Sequence, residues 1–365
     1  MMRPEWIILT AATVLRIIFT YWNIFINPIL GSGDDAQGFH DNALNIANNT
    51  YTSSYSREQS YMFFLGYIYR ITGFESQFFG SLISCIAWAL SAVILIKIFD
   101  ELGIKKLKLI GLIFYVALPS SVIYTSLTMR EPFMLFFINC FVFSFLNLYK
   151  NNKIYINGLM AALFGIFLVL LNISFITSIA FIIMSGIIIK FTKQKCVEYL
   201  LLITFIALFF YFITTNIPLN YFNGNSLIDI INIRQDHFQK FARASYENGF
   251  ITDSKLSLAK FIVISFKNYM IQPVDFDKMI LKDYLLFLEN LIRVGMFFLA
   301  VIGLMKSIVS NNTRYVFLFF LYLVIELTWA SYTINWGTAV RHHLPSYGIL
   351  TVLSIYSLKL CKKIV

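Results

Sequence analysis

Residues 76–98 read SQFFGSLISCIAWALSAVILIKI, a run whose only charge is Lys97 near its end. An α-helix rises about 1.5 Å per residue, so about 20 such residues cross the hydrocarbon core of a bilayer. Apolar runs of this kind recur near 6–27, 107–126, 131–149, 155–173, 174–191, 197–215, 283–305, 314–331 and 344–360. They are unbroken, whereas a membrane barrel would show alternating segments of about ten residues. The 365 residues are 58% hydrophobic and only 13% charged, against about 25% charge in a soluble domain. The expected fold is therefore an all-α polytopic membrane protein, one membrane domain over 1–365 with about ten transmembrane helices. Soluble-enzyme and nucleic-acid-binding classes fall away, despite a formal charge of +10.

The basic residues explain that charge. Lys97, Lys105, Lys106, Lys108, Lys150, Lys153, Lys190, Lys193, Lys195, Lys306, Arg314, Lys359, Lys362, Lys363 and Arg3 all fall in alternate joints, with only Glu5, Asp100, Glu101 and Glu198 against them. The positive-inside rule makes that side cytoplasmic and predicts both termini inside. These lysines then meet lipid headgroups. The first run holds Arg16 and no small-x-small cleavage site, so it reads as a retained helix. Cys85, Cys140, Cys196 and Cys361 lie in apolar runs or beside lysines, with neither a disulfide framework nor zinc spacing.

Three polar segments face the other side: 28–75, 216–282 and 332–343. External loops of such length are where a site is expected. In the first, Gly31-Ser32-Gly33-Asp34-Asp35 precedes Ala36, Phe39, Ala43 and Ala47 at helical spacing. A short surface helix then presents Asp34 and Asp35 at its N-terminus. Ser32 and Asp35 also fit a plain capping box. The alternative is chemical: one carboxylate acts as a general base toward a hydroxyl, its neighbour raising its pKa. Asp34, Asp35 and Asp41 together also offer hard oxygen ligands for a divalent cation, a use the sequence leaves open.

Gly33-Asp34-Asp35-Ala36 followed by Phe39 resembles the first-loop motif of the GT-C superfamily, the integral-membrane glycosyltransferases that include polyprenyl-phosphate mannosyltransferase-like enzymes. The stretch from Tyr61 through Gly66-Tyr67 to Gly73 is similar to the aromatic helix that follows in those enzymes, with Ser60 and Tyr61 where a proline is usual. Arg130-Glu131-Pro132 resembles the family's second external turn, although the same triplet also simply opens a helix, with glutamate in the first turn and proline after it. Asn335 to His342 resembles a C-terminal signature of surface-polysaccharide proteins.

The resemblance, which covers about the first 150 residues and the last 35, implies a bacterial inner-membrane enzyme with an external site. It would use an undecaprenyl-linked sugar donor and a glycan acceptor, with membrane lipids around it. On that reading Asp34 or Asp35 is the base, Glu131 supports it, and Arg130 and Arg341 hold phosphate. His342 and Asp41 assist in substrate binding, while the large loop acts as a lid that grips lipid diphosphate through Arg234 and Arg243 and stacks sugars on Tyr221 or Tyr246. The alternatives are an O-antigen-type repeat-unit polymerase, a lipid-linked oligosaccharide flippase and a non-catalytic subunit. His342 and His343 are adjacent and share no helix face, which argues against zinc. In the large loop, Ile230, Ile233, His237, Phe241 and Ala244 trace an amphipathic stripe. Within the runs, Arg16, Glu326 and the i, i+4 pair Glu289 and Arg293 are expected to face the interior and pair, and no helix broken by proline is expected.

Overall fold

A computed structural model describes residues 3–28, 35–51, 60–150, 153–181, 244–246, 255–274 and 276–362. These residues are helical apart from turns and one isolated bridge, Ser245 to Asn335. Among the described residues six helices are long and apolar enough to cross a bilayer, or seven if a bent pair is counted as one span. The chain is a polytopic helical membrane protein. It groups into two compact units, Met1–Phe175 with Leu344–Val365, and Ile176–His343.

The first unit holds α1 (Pro4–Phe25), α2 (Asp35–Ala47), α3 (Ser60–Thr72), α4 (Gln77–Glu101), α5 (Lys108–Ala117), α6 (Pro119–Thr125), α7 (Glu131–Tyr149) and α8 (Ile154–Leu171). In the second, the described helices are α9 (Lys255–Ile271), α10 (Leu281–Val309), α11 (Thr313–Tyr332) and α12 (Trp336–His343). The chain then returns to the first unit with α13 (Tyr347–Lys362). Of the ten expected runs, 197–215 lies outside the described residues, and only 176–181 of the run at 174–191 is described as helix. The stripe at 230–244 also lies outside, apart from Ala244.

The run read as one helix over 107–126 is two helices bent by 62°. Pro119 opens α6 and cannot donate to the preceding turn, so carbonyls at the end of α5 lose their helical partners. Arg16, fully buried in α1, fills this break. Its Nε donates to Thr125 Oγ1 at 2.7 Å, and Nη2 donates to Val116 O at 3.3 Å and to Ser121 Oγ at 3.2 Å. The guanidinium lies 3.3 Å from the centre of a Trp88 ring. A lone buried cation costs several kcal/mol, and here oxygen dipoles and an aromatic face offset that cost. A second correction falls at the last turn: residues 336–343 form their own helix, and α13 starts after Leu344-Pro345-Ser346. The residue before a proline avoids the helical region, which separates the two helices.

The lysine-bearing ends of the first unit meet. Lys108 Nζ sits 2.9 Å from Glu5 and 2.8 Å from Asp100, Lys150 pairs with Glu101, and Lys359 Nζ donates to Leu102 O at 2.9 Å. α13 seals α4, α5 and α7 together. Tyr347 Oη donates to Phe114 O at 2.8 Å, its ring stacks on Tyr115 at 5.9 Å, and Gly348 lets the backbone approach Asn139.

Candidate functional site

The described residues of the first polar segment form a hairpin of α2 and α3. In α2, Ala36, Phe39, His40, Ala43, Ile46 and Ala47 are buried while Asp35 and Asp41 are exposed, the 3.6-residue pattern of an amphipathic helix. Gly66 allows α3 to come close: a Cβ there would lie 2.8 Å from Ala43 O and from Ile46. Arg70 ends α2 by donating to Ala47 O at 3.0 Å, to Ile46 O at 2.8 Å and to Asn49 Oδ1. Asn49 takes the left-handed conformation, and Thr50 N donates to Asn45 O at 2.8 Å, closing a Schellman turn. The cap satisfies carbonyls that a helix end leaves open.

Tyr69 joins this hairpin to α4. Its Oη lies 3.0 Å from His40 Nδ1 and donates to Ser76 O at 3.3 Å, passing over Gly80. Burial holds the His40 imidazole below its ordinary pKa, with Asp41 partly opposing, and burial pushes the Tyr69 phenol up.

The hairpin covers the start of α7. Tyr61 and Phe64 pack on Phe133 with ring centres 5.5 and 5.3 Å apart, and Phe39 meets Tyr61 edge-on at 5.2 Å. Beneath these rings lie Arg130 and Glu131, only 7% and 2% exposed. Arg130 is the N-terminal cap residue of α7, and its guanidinium carbon lies 6.0 Å from the Phe39 ring centre. One Nη donates to Leu171 O at 3.4 Å, and Nε has no hydrogen-bond partner. The positive end of the helix dipole adds to this cation, so the place favours an anion.

The structure thus brings together α2, α3, Arg130 and Glu131. Asp35 stands in the first turn of α2. Asp41 accepts from Gln37 Nε2 at 2.7 Å on the exposed face. Asp34, Arg234, Arg243 and Tyr221 lie outside the described residues. Arg341 and His342 belong to α12 in the second unit.

That unit has its own buried polar cluster. Asn335 caps α12 through Oδ1, which accepts from Gly337 N at 2.8 Å and Thr338 N at 3.2 Å. Arg341 is half-buried. The two histidines face different partners: His342 Nδ1 lies 2.7 Å from Thr333 Oγ1 with its ring on Trp329, whereas His343 Nδ1 lies 2.5 Å from Glu326 Oε2. His343 Nε2 is 3.1 Å from Tyr269 O. Burial and the Arg293 guanidinium disfavour a charged imidazole at His343, with Glu326 opposing. The expected pair of Glu289 and Arg293 forms at 2.7 Å.

Tyr246, expected as a stacking platform for sugars, is instead buried. Its Oη donates to Thr333 O at 2.8 Å, and its backbone N donates to Ile334 O at 2.8 Å, so Tyr246 is bound to the residues that lead into α12. Asp283 Oδ1 accepts from Trp336 Nε1 at 3.1 Å and Oδ2 accepts from Ile280 N at 2.9 Å, fastening α12 to the start of α10.

Sequence reasoning assigned no role to His40, Tyr69, Arg70 or Asp283. The available signal was the spacing of Tyr61, Tyr69 and Arg70 around Gly66, which places an aromatic and a basic residue along one helix. Among the described residues no group of three metal-binding side chains occurs. No family model, curated protein or solved structure matches the chain.

Proposed function

We propose that the protein is a membrane glycosyltransferase of GT-C type, moving a sugar from an undecaprenyl-(di)phosphate donor to an acceptor hydroxyl at the external face of a bacterial inner membrane. The observation that carries this reading is Arg130, buried at a helix N-terminus with Nε unpartnered, beside Glu131 and beneath the hairpin that begins at Asp35. That constellation lies at the opposite end of α7 from Lys150, about 28 Å away by helix rise. Lys150 belongs to the lysine-rich end, which the positive-inside rule assigns to the cytoplasm. A site facing away from cytoplasmic nucleotide sugars requires a lipid-linked donor. The ten spans expected from the sequence, with both termini inside, follow the same assignment.

On this reading the acceptor oxygen attacks the anomeric carbon while a carboxylate of the Asp34-Asp35 pair takes its proton. The bond from that carbon to the phosphate oxygen breaks, and the departing phosphate keeps the electron pair. Arg130 stabilises the charge that develops there by bidentate hydrogen bonding. Glu131 orients the hydroxyl or the base.

A flippase is the second reading, favoured by the helix broken at Pro119 with Arg16 buried in the break. The test is the lipid-linked and surface glycans of the native host carrying Asp34→Asn, Asp35→Asn, Arg130→Gln, Glu131→Gln or Arg341→Ala, at normal protein level. A glycan missing one sugar supports the transferase. Single repeat units without long chains indicate an O-antigen-type polymerase instead, and an unchanged profile in all five variants removes the catalytic reading.

A further inference from the structure

We propose that Glu326 and His343 form a buried proton-binding site whose one bound proton ties α12 to α9 and α11. The argument is a count of donors. His343 Nε2 lies 3.1 Å from the Tyr269 carbonyl oxygen, and a carbonyl can only accept, so Nε2 carries a hydrogen. His343 Nδ1 lies 2.5 Å from Glu326 Oε2. With Nε2 protonated, a neutral imidazole presents a lone pair at Nδ1, and an ionised carboxylate presents only lone pairs. Two acceptors do not approach to that distance without a hydrogen between them. The pair therefore holds one proton more than a neutral imidazole and a carboxylate hold separately, shared between Oε2 and Nδ1.

The surroundings favour this neutral arrangement. Glu326 is fully buried and His343 nearly so. Arg293 and Glu289 on α10 bind each other and cancel as a pair. Among the described residues the cluster also holds the buried phenols Tyr269 on α9, Tyr322 on α11 and Tyr246, the last acting on Tyr269. Losing the proton makes the Glu326–His343 pair itself anionic in a buried place, which is costly. It also leaves acceptor against acceptor: at Nδ1 and Oε2 if the ring keeps its tautomer, or at Nε2 and Tyr269 O if the remaining hydrogen moves to Nδ1. Either way His343 loses its hydrogen bond to Glu326 or the one to Tyr269.

The tie is thus intact on the acid side and opens as pH rises and the pair gives up its proton. Its consequence reaches Arg341, which α12 carries two residues before His343. The proposal stands without the glycosyltransferase reading, because its readout is structural.

The test uses the full-length protein in lipid nanodiscs, titrated from about pH 6 to about pH 10. Amide hydrogen exchange of residues 336–343, corrected for the intrinsic rate, is expected to rise about tenfold or more on the alkaline side. In Glu326→Gln the amide N–H donates permanently to Nδ1, so exchange there should stay slow and independent of pH. Infrared difference spectra of the unaltered protein over the same titration should lose one signature of a protonated carboxyl or a doubly protonated imidazole, independently of any variant. Flat exchange in the unaltered protein, no such infrared band, or the same alkaline transition in Glu326→Gln would each overturn the proposal.

Discussion

Two glycines of the first hairpin make a controlled experiment. An alanine Cβ at Gly66 would lie 2.8 Å from Ala43 O and from both Cβ and Cγ2 of Ile46. Carbon contacts are optimal near 3.5–4.0 Å, so α3 must withdraw by about 0.7 Å or more, or Ile46 must leave its rotamer. Overpacking of this kind costs about 1–3 kcal/mol, partly offset by about 1 kcal/mol of helix propensity. At Gly38, in the facing helix, a Cβ meets nothing within 4 Å. Gly38→Ala therefore collects the propensity gain alone, and the two variants should differ by about 1–3 kcal/mol in thermal or denaturant unfolding in one detergent. Withdrawal of α3 also loosens Arg70 from the end of α2 and moves Asp35, so Gly66→Ala should lower glycan transfer while Gly38→Ala leaves it intact. If the two alanines agree within about 0.3 kcal/mol and transfer equally, the close approach of α2 and α3 is not what positions the carboxylates.

Other outcomes follow from the same contacts. The folded state holds His40 below its ordinary pKa, so it binds fewer protons than the unfolded chain, and stability present above about pH 6.5 declines as pH falls. Protease sensitivity of the hairpin should rise on acidification, and His40→Gln should flatten that response. Arg70→Gln removes donors from the α2 terminus and should cost about 1–2 kcal/mol, with faster amide exchange over residues 44–50. Asp283→Asn leaves one acceptor oxygen where Trp336 Nε1 and Ile280 N each now have one; unfolding should become easier by about 1–3 kcal/mol and Trp336 fluorescence should shift.

The helices were legible where hydropathy alone decides them, since eight of the expected runs begin or end within a few residues of described helices. The amphipathic α2 was legible for the same reason: Ala36, Phe39, Ala43 and Ala47 are buried at the spacing that predicted it. The break at Pro119 was not, because the proline acts on the backbone of its neighbours, an effect that a hydropathy average over 107–126 does not register. Partners distant in sequence were also hidden. Arg16 was expected to pair and does so with neutral oxygens more than 100 residues away, and Glu326 finds His343 in another helix. Arg130 and Glu131 were singled out by type and neighbour, but nothing in their triplet indicates that Phe39 and Tyr61 lie over them.

The return of α13 to the first unit has a consequence for biosynthesis. Asn139, Tyr115 and Leu102 wait for Gly348, Tyr347 and Lys359, and residues 176–343 are translated in between. At about 5–20 residues per second that interval lasts roughly ten to thirty seconds. Through it the nascent bundle lacks the helix that covers α4, α5 and α7, and Asn139, Tyr115 and Ser91 hold one another across those three helices without it. The last stretch to leave the ribosome is therefore the one that completes the first-made half, and truncation after residue 343 should damage the distant N-terminal hairpin's support more than the newly synthesised segment beside the cut.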